Sequence, residues 1–113
     1  MESILESIKK LLGIPKDYTA FDIDVIMHIN TAFAILNQLG LGPKDGYGIE
    51  GYDDVWDDYI VSYNMSMIKN FIYLKVRLAF DPPSSTALIE SMQRTLDELT
   101  WRLELEGQNG SSG

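Results

Sequence analysis

Residues 53–80 carry two apolar rows at helical spacing, and this double row constrains the fold more than any other feature of the sequence. Trp56, Ile60, Tyr63, Met67, Phe71, Leu74 and Leu78 trace one seam, and Val61, Met65, Ile68, Ile72, Val76 and Ala79 trace the second. A helix with one apolar stripe can lie on a surface, whereas a helix with two needs cover on both sides. A long helix from about Asp53 to Phe80 is therefore expected to be either the centre of the fold or a helix shared with a neighbouring copy. On the second alternative, Val61, Met65, Ile68 and Ile72 are the candidates for contact between subunits. Asp81-Pro82-Pro83 ends the segment, because a residue before proline avoids the helical region.

Three further helices complete an expected all-α bundle. Ile4, Ile8 and Leu11, with Leu5 and Leu12 beside them, predict a short amphipathic helix over about Glu2–Leu12. Gly13 and Pro15 stop it. A second helix is expected from about Thr19, as N-cap, to Leu39, with Asp22 and Asp24 favoured at the positive end of its dipole. Its stripe is Val25, Ile29, Ala32, Leu36 and Leu39, widened by Ile26, Met27 and Phe33. The fourth helix is expected after Pro83, capped by Ser84 or Ser85, and runs to about Glu106. Ile89, Met92, Leu96, Leu99 and Leu103 give it a narrow seam of alternating three- and four-residue steps.

The stretch Gly40–Tyr52 holds five glycines and one proline and cannot be the interior of a helix. Asp45-Gly46 signals a turn, and Gly46–Gly51 could close a small hairpin. Ile49 within this loop implies a surface to pack on. The expected organisation is one domain over residues 1–106, followed by a disordered tail or expression remnant over 107–113.

Composition removes several classes of function. The 113-residue chain has no cysteine, so disulfides, thiolate metal sites and thiol catalysis are excluded. A formal net charge of −8 disfavours sequence-independent DNA binding. Apolar runs fall short of the roughly 20 residues that a bilayer span needs, and Met1-Glu2-Ser3 lacks the layout of a signal peptide. Neither membrane insertion nor secretion is expected.

The polar constellations read as structural. His28, the single histidine, stands one turn after Asp24, and the two could hydrogen-bond. No nucleophile completes a triad, and zinc needs more ligands than this helix offers. Asp53, Asp54, Asp57 and Asp58 resemble a metal cluster, but acids at the start of a helix are favoured by its dipole, and EF-hand spacing is absent. The glycine-rich loop lacks the Gly-Lys-Ser/Thr ending of a phosphate loop. Trp101 falls off the seam of the fourth helix, so it is either an interface anchor or packs on the first helix of its own chain.

Several blocks together resemble the small head-tail connector (adaptor, head-completion) proteins of long-tailed phages. They are Ile8–Ile14, Asp17–Asp22, His28–Phe33, Leu36–Gly40, Ile72–Leu78, Phe80–Ser85 and Glu98–Leu103. The resemblance covers nearly everything to Glu106. It implies a virion protein without catalysis or cofactor, forming a ring, commonly a dodecamer, beneath the portal protein. It also implies a next connector or tail-completion protein as partner, DNA passing without sequence-specific binding, and synthesis in the bacterial cytoplasm. Portal contact is expected at Trp101, Arg102, Leu105 and Glu106, and a second interface at the loop residues Tyr47, Ile49 and Tyr52. Net acidity agrees with a DNA conduit, since a repulsive wall keeps the duplex from sticking. The rival readings are a small phage-encoded regulator of a host protein and a metal-dependent enzyme using the Asp53–Asp58 acids with His28.

Overall fold

The computed structural model describes residues 2–59 and 65–111, with side chains to residue 108. Four helices make up the fold: α1 (Ile4–Leu12), α2 (Asp22–Gln38), α3 (Met65–Phe80) and α4 (Thr86–Ser111). No strand forms among the described residues; there is one isolated bridge between Ser3 and Val55. No helix among them is long and apolar enough to cross a membrane.

Local chemistry sets the ends of α1. The Ser3 hydroxyl accepts from the Glu6 amide at 3.2 Å, capping the first turn. Gly13, at φ 80°, closes the last turn, and the amide of Ile14 donates back to the Lys9 carbonyl at 2.9 Å. At α4 the Ser85 hydroxyl accepts from the Leu88 amide at 3.3 Å, so Ser85 is the capping serine of the two candidates.

α2 begins at Asp22, later than its sequence suggests, and the Thr19 side chain does not cap it. Residues 15–21 instead form tight turns, with the Tyr18 amide on the Pro15 carbonyl at 3.1 Å and the Asp22 amide on the Thr19 carbonyl at 3.2 Å. These turns aim the carbonyls of Lys16 and Tyr18 at Lys9. Met27, expected to widen the buried stripe, lies on the exposed side at 56%.

The expected long third helix is two pieces. Trp56–Asp58 is a single 3-10 turn, Tyr59 is extended, and α3 takes in Met65–Phe80 of the described residues. Residues 53–58 are engaged elsewhere. Their backbone meets the start of α1, with the Ile4 amide on the Asp54 carbonyl at 3.0 Å and the Trp56 amide on the Glu2 carbonyl at 3.2 Å. Asp54 also accepts from the loop amides of Glu50 (2.7 Å) and Gly51 (3.3 Å). Ile60, Val61 and Tyr63 of the expected seams lie outside the described residues.

α3 is the central helix. It packs on α1 and α2 on one side and on α4 on the other. Phe71 and Leu74 from one seam and Ile68, Ile72 and Val76 from the second are all buried by their own chain. Of the two alternatives posed by the double row, this is cover within one chain.

The Gly40–Tyr52 loop forms no hairpin. A turn closes at Gly46, whose amide donates to the Pro43 carbonyl at 2.9 Å. Beyond it, the Asn30 side chain takes the place of a partner strand. Its Oδ1 accepts from the Ile49 amide at 2.7 Å, and its Nδ2 donates to the Ile49 carbonyl at 3.0 Å. With Ile49's backbone satisfied and its side chain in the core, a second strand is unnecessary.

α4 passes its expected end at Glu106 and stays helical through Gly107 to Ser111. Gly107 continues the seam one turn after Leu103 and lies against the end of α2. A Cβ there would collide with the Leu39 carbonyl oxygen, and one on Gly40 would stand 3.2 Å from the Gly107 carbonyl oxygen. Glycine costs about 1 kcal/mol in a helix. Here it permits two backbones to touch, which ties residues expected to be a disordered tail onto the domain.

Candidate functional site

A buried cation stands where four parts of the chain meet. Lys9, Leu5 and Leu12 share one face of α1, and the Lys9 side chain enters the interior with them. Four oxygens surround Nζ: the Tyr52 hydroxyl at 2.6 Å, Asp22 Oδ1 at 2.7 Å, and the carbonyls of Tyr18 at 2.7 Å and Lys16 at 3.1 Å. An ammonium has three protons, so every donor finds a partner. The Tyr52 hydroxyl lies 2.9 Å from Asp22 Oδ2 and 3.0 Å from the Lys16 carbonyl, and can donate to either. Burial alone would lower the Lys9 pKa. Its hydrogen bonds to Asp22 and Tyr52 and their negative potential outweigh burial and raise it above the ordinary value of 10.5. The group is a charged clasp joining α1, the 16–18 turn, α2 and the loop.

The loop residues expected at an interface turn inward. Tyr52 belongs to the clasp, and Ile49 is buried. The Tyr47 ring meets Phe33 edge-on at 4.9 Å and Tyr59 at 5.3 Å. Burial, with the nearby Asp54 and Asp58 carboxylates, pushes the Tyr47 phenol above its ordinary pKa. These side chains hold the loop to its own chain. Ile68 and Ile72, candidates for subunit contact, have no accessible surface, Met65 is half-buried, and Val61 is outside the described residues.

The outer face of α4 is different. Trp101 is 60% exposed and Leu105, one turn on, is 42% exposed. Arg102 is exposed and pairs with Glu98 at 3.0 Å. Glu106 turns inward and is half-buried. An exposed tryptophan beside a leucine on a rigid helix is the chemistry of a binding anchor.

Two more surfaces stand out. On α2, Ile23 is 83% exposed and Met27 lies one turn later on the same side. Between α1, the 3-10 turn and α3 lies a shallow groove of about 260 Å³, lined by Glu2, Ser7, Ile8, Lys10, Leu11, Trp56 and Lys69. Lys69 stands 5.2 Å above the Trp56 ring and pairs with Glu2 at 2.9 Å. Trp56 Nε1 donates to the Ser7 hydroxyl at 2.9 Å.

The candidate metal residues are dispersed. Among the described residues no three His, Asp or Glu side chains gather to hold an ion. His28 meets Phe80 at 6.3 Å and makes no hydrogen bond to Asp24. Asp54 and Asp58 serve nearby backbone amides.

Sequence reasoning missed the clasp because it gave Lys9 no role. The signal was present, since Lys9 is four residues after Leu5 and three before Leu12. It also missed the outer ridge of α2, where Met27 had been assigned inward.

A family model described as Phage connector protein matches residues 4–110. The match runs past the expected domain end at Glu106 and takes in Gly107. No curated protein and no solved structure matches the chain.

Proposed function

The chain belongs to the phage connector protein family, and on that premise we propose that it is a subunit of the adaptor ring that docks under the portal and links head to tail around the DNA channel. The family match over residues 4–110 carries this reading. In it the chain acts by surface complementarity, without catalysis or cofactor. It is made in the host cytoplasm and resides at the head-tail junction of the virion.

The exposed pair Trp101 and Leu105, flanked by Arg102 and by Glu106 at the helix edge, is the face offered to portal. A large aromatic and an aliphatic on one stiff helix match the composition of interface hot spots. The other end of the ring meets the next connector or tail-completion protein. A net charge of −8 per copy suits a channel through which DNA slides without sequence-specific contact.

The test is binding to the purified portal of the same phage, followed by sizing. The expected result is a stable complex of portal with several copies of this chain, weakened at least tenfold by Trp101→Ala. Absence of any complex, together with absence of the chain from purified virions, overturns the proposal.

A further inference from the structure

We infer that the ridge Ile23–Asp24–Met27 on α2 of one copy seats in the Lys10/Leu11/Trp56/Lys69 groove of a second copy. The contact concerns only how two copies meet, so it goes beyond the connector reading and stands or falls without portal.

Of the residues first expected between subunits, Ile68 and Ile72 are sealed in the core and offer no surface to a neighbour. The apolar surface that a single copy leaves open is elsewhere. Ile23 is the most exposed large apolar side chain among the described residues, and Met27 extends it by one turn. Beside them Asp24 is exposed and has no ion-pair partner among the described residues. The ridge is thus apolar with one free negative charge.

The groove is its complement. Its apolar surface is the exposed Leu11, with Ile8 and Trp56 sealed beneath it, and its rim carries the Lys10 cation beside the Lys69–Glu2 ion pair. Lys10 is exposed and unpaired among the described residues. Its volume of about 260 Å³ admits an aliphatic side chain.

Charge selects the occupant. With 9 basic against 17 acidic residues, two copies repel unless their contact sets one of the few free cations against an acid. Seating Ile23 against Leu11 brings Asp24 toward Lys10 and buries the exposed apolar surface of Ile23, Met27 and Leu11. The ridge and the groove are different surfaces of one chain, so the contact is head-to-tail. Repeated, it yields a closed ring or an open filament, never a two-fold dimer.

The absence of native cysteine makes the test direct. Full-length Ile23→Cys and Leu11→Cys variants are oxidised at high concentration, separately and mixed, without portal. Both positions are exposed, so neither change disturbs the core. The expected result is a disulfide only in the mixture, and a ladder of higher multimers from the double variant. Lys10→Glu lowers the yield about tenfold, and adding Asp24→Lys on the partner restores it. Each variant is checked for unchanged helicity. Cross-linking of Ile23→Cys with itself means a two-fold contact and overturns the inference. No cross-link in the mixture overturns it too, and leaves the portal experiment unaffected.

Discussion

At the scale of single residues, Lys9 shows how much a buried charge can organise. Its ammonium is almost inaccessible, and Asp22 keeps 17% of its side-chain surface. Removing one partner of such a pair strands the other in a dry site, at a cost of about 3–5 kcal/mol for full burial. Because Asp22 retains some water, Lys9→Met is expected to cost about 3 kcal/mol, read by denaturant unfolding. The pH dependence has a definite sign. The folded pKa lies above the unfolded value, so the clasp's contribution is complete below 10.5 and is lost as pH rises through the raised folded value. Melting temperatures of wild type and Lys9→Met should therefore differ undiminished across neutral pH and converge only in strong alkali. Convergence below pH 9 would show that the lysine is not held as described. The spacing of Lys9 from Leu5 and Leu12 held a signal for burial that went unread. The four oxygens that make its burial tolerable come from Lys16, Tyr18, Asp22 and Tyr52, and no local pattern joins such distant positions.

At the scale of elements, the helices were legible wherever a breaker and a periodic stripe agreed. Gly13 ends α1, Asp81-Pro82-Pro83 ends α3, and the alternating seam of α4 is the face that α3 covers. The failures have a shared physical origin: tertiary contacts outbid local preference. Residues 53–58 keep helical spacing but lend a backbone carbonyl and amide to the start of α1 and the Asp54 carboxylate to the loop. Thr19 surrenders its capping role to turns that feed Lys9. Gly107 looked like the start of a flexible tail because glycine is a poor helix former, yet the missing side chain is what lets α4 touch Leu39. Gly107→Ala is helix-favouring by propensity and is nevertheless expected to destabilise by about 1–3 kcal/mol, through collision with the Leu39 carbonyl. A rise in melting temperature on this change would sink the account of the contact.

At the scale of the whole molecule, the double seam was read correctly as needing cover on two sides, and the chain supplies that cover itself. The sequence could not decide this, because periodicity reports that a face is apolar and is silent about what covers it. The same limit hid the ridge on α2, whose outer face carries Ile23 and Met27 opposite a conventional core stripe. What the molecule leaves uncovered is instead at its edges, and there function and folding separate. Trp101→Ala removes a side chain that is 60% exposed, so unfolding free energy should stay within about 0.5 kcal/mol of wild type. Incorporation into virions should fall by far more, measured by particle yield from a complemented phage. Equal losses in both would make Trp101 part of the fold rather than of a docking face.

The seat of Gly107 on Leu39 and Gly40 also has a mechanical meaning. It fastens the far end of the last helix to the middle of the chain, so α4 is braced at both ends: through the short Asp81–Ser85 turn onto α3, and through backbone on α2. A pull applied at Trp101 or Leu105 is passed into the bundle as a load on two anchors instead of levering one hinge. In the proposed adaptor role, such bracing keeps the docking face of α4 from bending away from the bundle under load.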